Sequence, residues 1–282
     1  WAIKTRGSCK TTESVCNTQH SKVGREDGPI TGQKIITCRA YRYDDKGGIF
    51  MGILPEDKPC QPKKEPHNFF VYGATMSGKS YFTSFFPHPL VLNTDGNSEQ
   101  GTAPSIQIRN TRDERGALKS NCIQQLDEIV TALQQPSCTF QTVIVDVIDD
   151  ICVMIEQAIC LKHNVQSLDQ IGYGRGYAAF NAVLQQFVMD LKALNQDVIY
   201  ISRELALVDE KTGATSKVPS LKSKYYNIVN GNCDLVIHTE KFGKNVYRRS
   251  VTDYRQVYKA EDIKNERVRK LLNSVEGMFQ DK

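Results

Sequence analysis

Residues 73–80 read Gly-Ala-Thr-Met-Ser-Gly-Lys-Ser. The spacing G-x-x-x-x-G-K-[ST] is that of a phosphate-binding loop. Its glycines let successive backbone N–H groups turn toward phosphate oxygens, and the following helix start adds the positive end of its dipole. Lys79 is then placed to bridge the β- and γ-phosphates of a nucleoside triphosphate, and the Ser80 hydroxyl to ligate Mg2+. The expected nucleotide site is the whole loop, Gly73, Ala74, Thr75, Met76, Ser77, Gly78, Lys79 and Ser80, with ATP and Mg2+ as its ligands.

Carboxylates downstream can complete such a site. Thr142-Val-Ile-Val-Asp146 is an apolar run ending in an acid, the pattern of a buried strand whose tip holds the magnesium shell through water. The next residue is Val147 and not Glu, so the group that activates water must come from elsewhere. Asp95, at the end of Leu90-Val-Leu-Asn-Thr-Asp-Gly96, is the first candidate and Glu99 the second. Ligands bind at the carboxyl edge of a parallel sheet, and a carboxylate there can orient an attacking water. The competing reading of Asp95 is a simple turn with Gly96.

The elements that must position these groups are legible from residue 68 onward. Phe69-Phe-Val-Tyr72 predicts a strand leading into the loop, Lys79–Phe86 the helix after it, stopped by Pro87 and Pro89. Leu90–Asn93 predicts the next strand. A helix is expected over 122–133, with Ile123, Leu126, Ile129, Val130 and Leu133 on one face. A longer helix follows Ile171-Gly-Tyr-Gly-Arg-Gly176, with a 3.6-residue stripe from Phe180 to Leu194. Val198–Ile201 and Asp234–Ile237 predict two more strands. Strands alternating with helices imply an α/β fold with a mostly parallel sheet covered on both faces.

Residues 1–50 lack sustained periodicity, apart from a strand-like stretch at Lys34-Ile-Ile-Thr-Cys-Arg-Ala-Tyr. The sequence opens on Trp1, and Met51-Gly-Ile-Leu-Pro reads as a natural start. Residues 1–50 are therefore expected to be an extension or upstream sequence outside the core, 51–67 a proline-rich linker, and 68–282 the core. Nine cysteines include no C-x-x-C pair, which favours thiols in a reducing compartment over a zinc or redox motif. No apolar run approaches the ~20 residues that span a bilayer, and the N-terminus has no apolar signal core, so a cytoplasmic protein is expected.

Net charge is +4, unevenly spread. Residues 1–50 carry nine Lys/Arg against five Asp/Glu, 51–240 sixteen against twenty-one, and 241–270 ten against four. The body is mildly acidic and the C-terminal part basic. There Lys241, Lys244, Arg248, Arg249, Arg255 and Lys259 interleave with Tyr247, Tyr254 and Tyr258. That mixture suits sequence-independent binding of a nucleic-acid strand, and equally a strand or hairpin packed on the core.

In order, Phe70-Val-Tyr-Gly-Ala-Thr-Met-Ser-Gly-Lys-Ser80, Pro89–Gly96, Thr142–Asp146, Gly172–Tyr177 and Gly231–Val236 resemble the RecA superfamily. Residues 68–272 look most like phage-encoded ATPases made of a RecA-like core, which serve as recombinases or single-strand annealing proteins. The resemblance implies ATP hydrolysis coupled to single-stranded DNA, a homo-oligomeric ring or filament, a single-strand-binding protein as a further partner, and the bacterial host cytoplasm. It also implies two DNA-facing loops, here at 164–176 and 204–224, the second carrying Lys211, Lys217, Lys222 and Lys224. Where RecA proteins have a glutamine sensor, this chain has Ser202-Arg203-Glu204. Arg203 is the candidate sensor of the γ-phosphate, and Lys222 and Lys224 are candidates to act across a subunit interface. Two other classes stay open: a nucleotide-switched partner protein such as a helicase loader, and a small-molecule kinase with a lid drawn from Arg109, Arg112 and Arg115.

Overall fold

The computed structural model describes residues 41–43, 49–51, 57, 59–97, 101–116 and 118–279. The chain divides into two units, residues 1–61 and 62–282. In the first, β1 (Tyr41–Tyr43) pairs antiparallel with β2 (Ile49–Met51), Tyr41 opposite Met51. The strand expected from Lys34 lies outside the described residues except at Tyr41, as does Glu99.

The second unit is built on an eight-stranded sheet. Its apolar runs form β3 (Asn68–Gly73), β4 (Pro89–Asn93), β8 (Thr142–Asp146), β9 (Asp197–Val208) and β11 (Leu235–Phe242), with β5 (Ser105–Gln107) at one edge and β12 (Val246–Tyr254) at the other. The order is β12-β11-β3-β9-β8-β4-β5, with β10 (Thr215–Pro219) paired to the far half of β9. All neighbours are parallel except β11–β12 and β9–β10. The strand that enters the glycine loop thus lies between β11 and β9, one strand removed from the Asp146 strand. This is an α/β core, a mostly parallel sheet flanked by helices. A short hairpin, β6 (Thr111–Arg112) with β7 (Leu118–Ser120), stands apart from the sheet.

Alternation along each strand sorts side chains into two cores. Phe70, Tyr72, Leu92, Val145, Val198 and Tyr200 pack under α2 (Cys122–Leu133), α3 (Ile148–His163), α4 (Arg175–Lys192) and α5 (Ser223–Asn230). Phe69, Val71, Ile144, Ile199, Ile201 and Ile237 face α1 (Lys79–Thr83) and α6 (Glu266–Asn273). Each such fully buried side chain is worth about 1.5–3 kcal/mol relative to exposure, so both faces must be covered. Among the described residues no helix is long and apolar enough to cross a membrane.

Three expectations change. Helix α1 ends at Thr83 and not Phe86; Phe85 and Phe86 make i→i−3 bonds to Phe82 and Thr83, a tightened exit ahead of Pro87. Helix α3, which none of the expected elements covers, follows the Asp146 strand and has Asp149 and Asp150 among its first residues. Those acids sit in its first turn, where the helix dipole favours them, while Ile148, Ile151, Cys152, Ile155 and Ile159 are buried at helical spacing. The segment 204–224, expected as a loop, is largely ordered. Strand β9 runs on to Val208 and turns back as β10, Leu205 opposite Val218 and Val208 opposite Thr215, before α5 begins.

The basic C-terminal stretch is chiefly a hairpin packed on the core. Arg248 is paired with Glu276 at 2.6 Å, Arg255 donates to the carbonyls of Cys233 and Gly231, and Tyr258 is buried. Of the described cysteines, Cys122, Cys152, Cys160 and Cys233 are buried, and no His/Cys/Asp/Glu group among the described residues is grouped to hold a metal.

Candidate nucleotide site

The loop begins at the centre of the carboxyl edge. Gly73 is in register with Thr239 of β11 on one side and Arg203 of β9 on the other. A methyl group at Gly73 would stand 2.2 Å from the Thr239 carbonyl oxygen and 2.7 Å from Ser77 Oγ, so only glycine allows the strands this close. Ser77 Oγ and Thr239 Oγ1 are buried and 2.7 Å apart, which pins the loop to β11. Met76 (φ 63°) and Gly78 (φ 85°) take left-handed backbone and curl the loop into α1.

The functional side chains converge there from distant positions. Lys79 Nζ donates to the carbonyls of Gly73 (2.7 Å) and Ala74 (2.8 Å), so its ammonium lies across its own loop. Burial lowers its pKa, with the nearby Asp146 charge working the other way. Ser80 Oγ donates to Asp146 Oδ2 at 2.7 Å, joining residues 66 apart in sequence. Burial raises the Asp146 pKa, the Ser80 hydrogen bond offsets part of that, and the Asp95 charge adds to it. A hydroxyl and a carboxylate in contact are the oxygen donors a hard divalent cation takes, and a cation there would favour the ionised carboxylate that burial disfavours. The residues fit Mg2+.

Asp95 lies just past β4. Its Oδ1 accepts from Asn97 N (3.0 Å) and its Oδ2 from Asn97 Nδ2 (2.5 Å), while Asn93 Oδ1 accepts from Gly96 N. The turn expected with Gly96 is therefore present, and the carboxylate still lies within electrostatic reach of both Asp146 and Arg203.

Arg203 is held in a way the sequence reading missed. Its guanidinium makes a two-pronged bond to Asp150, Nη1 to Oδ1 at 2.6 Å and Nη2 to Oδ2 at 2.7 Å. Asp150 also accepts from Thr94 Oγ1, and Thr94 N donates to the Asp146 carbonyl. The pair raises the Arg203 pKa and lowers that of Asp150. Asp149 accepts from the Arg203 backbone N–H, from Ser202 Oγ and from Ser220 Oγ. The two acids of the first turn of α3 thus fix the point where β9 leaves the core. Consecutive acids directly after an Asp-tipped strand are the signal that could have found them. Beside them, Glu204 Oε2 and His238 Nε2 are 2.5 Å apart and largely buried, with the His238 ring stacked on Tyr72.

Other candidates are placed elsewhere. Lys222 caps α5 with Nζ 5.7 Å from the Tyr225 ring, and Lys224 is exposed in its first turn. Among the described residues neither has a hydrogen bond or ion pair to the loop. Arg109 donates to Gln107, and Arg112 lies in the β6–β7 hairpin.

A mostly parallel sheet, a phosphate loop leaving an inner strand and an acid-tipped strand two places away define a P-loop NTPase. A family model described as an AAA domain matches residues 65–267, well over half of the chain, and the chain belongs to that family, whose P-loop domain binds nucleotide. A search of curated proteins finds no match. Among solved structures, the crystal structure of the RadB recombinase is similar at 15% identity and a TM-score of 0.37, over 67% of this chain and 82% of that one.

Proposed function

We propose that this protein is a Mg2+-dependent ATPase that acts on single-stranded DNA as a homo-oligomer, in recombination or strand annealing. The observation that carries the ATPase reading is the Ser80–Asp146 contact beside Lys79. Each group has a role in phosphoryl transfer to water. Lys79 would exchange its carbonyl partners for phosphate oxygens, and Ser80 and Asp146 would hold Mg2+, which would supply neutralisation of the charge that develops in phosphoryl transfer. Asp95 orients the attacking water and takes its proton, as the new P–O bond forms and the bond to ADP breaks. Arg203, positioned by Asp150, senses the γ-phosphate.

The DNA part rests on the sequence resemblance and on two exposed features. One is the β9–β10 hairpin, with Lys211 exposed at its turn and Lys217 paired with Glu240 of β11. The other is the loop at Gly172–Gly174, where Tyr173 is 99% exposed. Rings and cations of this kind serve sequence-tolerant strand binding. Because Arg203 directly precedes the hairpin half of β9, nucleotide state has a short path to it.

The test is ATP turnover by the purified chain, with and without single-stranded DNA, against a double-stranded control and Lys79→Ala. Stimulation by single strands that disappears in the variant supports the proposal. Turnover indifferent to DNA, with no strand binding at low salt, would move the protein to a nucleotide-switched partner role. Asp95→Asn should keep nucleotide binding and slow hydrolysis; equal loss of binding in both variants removes Asp95 from the chemistry.

A further inference from the structure

We infer that the β11–β12 hairpin holds the nucleoside end of the nucleotide, with Tyr247 as the ring on which the base stacks and Arg249 as a donor to a nucleoside oxygen. The inference rests on the nucleotide reading of the loop and adds a binding surface to it.

The polarity of the site gives the direction. Asp146 on β8, Asp95 after β4 and Arg203 on β9 all lie on one side of β3 in the sheet order. These are the groups suited to magnesium and the γ-phosphate. A triphosphate whose γ end lies toward them has its nucleoside end on the opposite side of β3, where β11 and β12 lie.

What lies there is a single hairpin face turned to the loop and α1. Thr239 is in register with Arg249, and Lys241 with Tyr247, so these four share that face. Thr239 bonds Ser77, and a methyl at Gly78 would stand 3.2 Å from Tyr247 Cδ1. The Arg249 guanidinium carbon is 4.8 Å from the centre of the Phe82 ring. Tyr247 is thus packed by one edge against the last glycine of the loop while 43% of the residue is open to solvent. Lys241 Nζ stands 5.7 Å from its ring centre, an exposed cation–π contact weak enough to yield its place to a base.

Arg249 supplies an independent observation. Its Nε is buried with no hydrogen-bond partner, and among the described residues no carboxylate pairs with it, Glu276 being engaged by Arg248. Buried donors are as a rule satisfied, and the Phe82 ring that lies against the guanidinium attracts its charge without accepting the Nε–H bond. Arginine can only donate, so the missing partner is an acceptor, and ribose and base oxygens at this end of the loop are acceptors of the right kind.

The experiment compares binding of ATP with binding of inorganic tripolyphosphate, which offers the loop three phosphates and no nucleoside. Wild type should bind ATP more tightly. Tyr247→Ala should weaken ATP binding about tenfold or more, the effect expected for loss of a base–aromatic stack, and change tripolyphosphate binding less than about twofold. Tyr247→Phe should restore ATP affinity, and Arg249→Met should likewise weaken ATP alone. Equal losses for both ligands would mean that Tyr247 only shapes Gly78, and no loss would mean that the base lies elsewhere; either overturns the inference. If wild type binds both ligands equally, the nucleoside surface fails while the phosphate loop stands. If it binds neither, the nucleotide reading itself has failed.

Discussion

Two glycine loops in this protein look alike in sequence and start helices in the same way, yet they are built on opposite terms. Gly73–Ser80 precedes α1, and Gly172-Tyr-Gly-Arg-Gly176 runs into α4. In the first, Gly73 is fixed by contact with Thr239 and Gly78 by contact with Tyr247. In the second, Gly172 (φ 42°), Tyr173 (φ 51°) and Gly174 (φ 70°) are consecutive left-handed residues, and a methyl at either glycine would meet nothing within 4 Å. Close packing constrains the first loop as well as its left-handed turns at Met76 and Gly78, whereas over Gly172–Gly174 backbone curvature acts without such contacts. A loop clamped on several sides can present its N–H groups in one fixed geometry to a small anion. The open turn at Gly172–Gly174 instead leaves a large side chain, Tyr173, in solvent.

Substitutions can break this contrast. The largest effect is expected at Gly73→Ala. The added methyl collides with a backbone oxygen that no rotamer change can move, so about 3 kcal/mol of stability should be lost, at the upper end of overpacking costs. Saturating nucleotide at 100 times its dissociation constant stabilises a binder by about 2.7 kcal/mol. In a thermal melt that shift should vanish in Gly73→Ala and in Lys79→Ala, with Lys79→Ala otherwise folding normally. A Gly73→Ala protein that melts like wild type and still responds to ATP would end the claim that packing constrains the loop.

Gly176→Ala comes next and sharpens the comparison. Gly176 closes the second loop, yet it is buried, and its added methyl would lie 2.2 Å from the Leu168 carbonyl oxygen. It should behave like the first loop, with a net loss of about 2 kcal/mol after the roughly 1 kcal/mol gained by alanine in a helix. Denaturant unfolding measures it. Gly174→Ala has open space but a left-handed backbone, and should lose only about 1 kcal/mol. If Gly174→Ala proves as costly as Gly176→Ala, curvature matters as much as contact and the division between the loops dissolves.

The same distinction explains what could be read before the structure. Strands β3, β4 and β8 and helix α2 were legible because their apolar residues are local and periodic, and the α2 limits at Cys122 and Leu133 came out as expected. The phosphate loop was legible because its chemistry demands residue types at fixed spacing. Helix α3 was not, since two acids at its start read as interruptions until the dipole and the Arg203 guanidinium supply their partners. The β9–β10 hairpin was hidden for a different reason. Its residues alternate poorly because both faces lack a covering layer, with Leu205, Leu207 and Val208 at least half exposed. The contacts of Thr239 and Tyr247 with the phosphate loop were invisible because a contact between residues more than 160 positions apart leaves no local trace.

The smallest effect on stability is expected at Tyr173→Ala, and it carries the sharpest test of the second loop. With 99% of the residue exposed and, among the described residues, Arg175 near its ring at 5.9 Å, the side chain contributes almost nothing to folding. Removing it should change stability by less than about 0.5 kcal/mol, as for other surface substitutions, and alanine in left-handed backbone costs no more than tyrosine did. A large ring kept in water on left-handed backbone has no folding rationale, which makes it the residue of this loop to test for binding. On the single-strand reading, Tyr173→Ala should weaken single-stranded DNA binding by about 1–3 kcal/mol while leaving the nucleotide-dependent melting shift intact. Titration of a labelled oligonucleotide at fixed low salt measures the first, and the melt with and without ATP measures the second. Loss of the ATP response would mean that the two loops are coupled through α4 and the sheet. Unchanged strand binding would mean that this tyrosine meets a different partner, and would leave the β9–β10 hairpin as the surface to test.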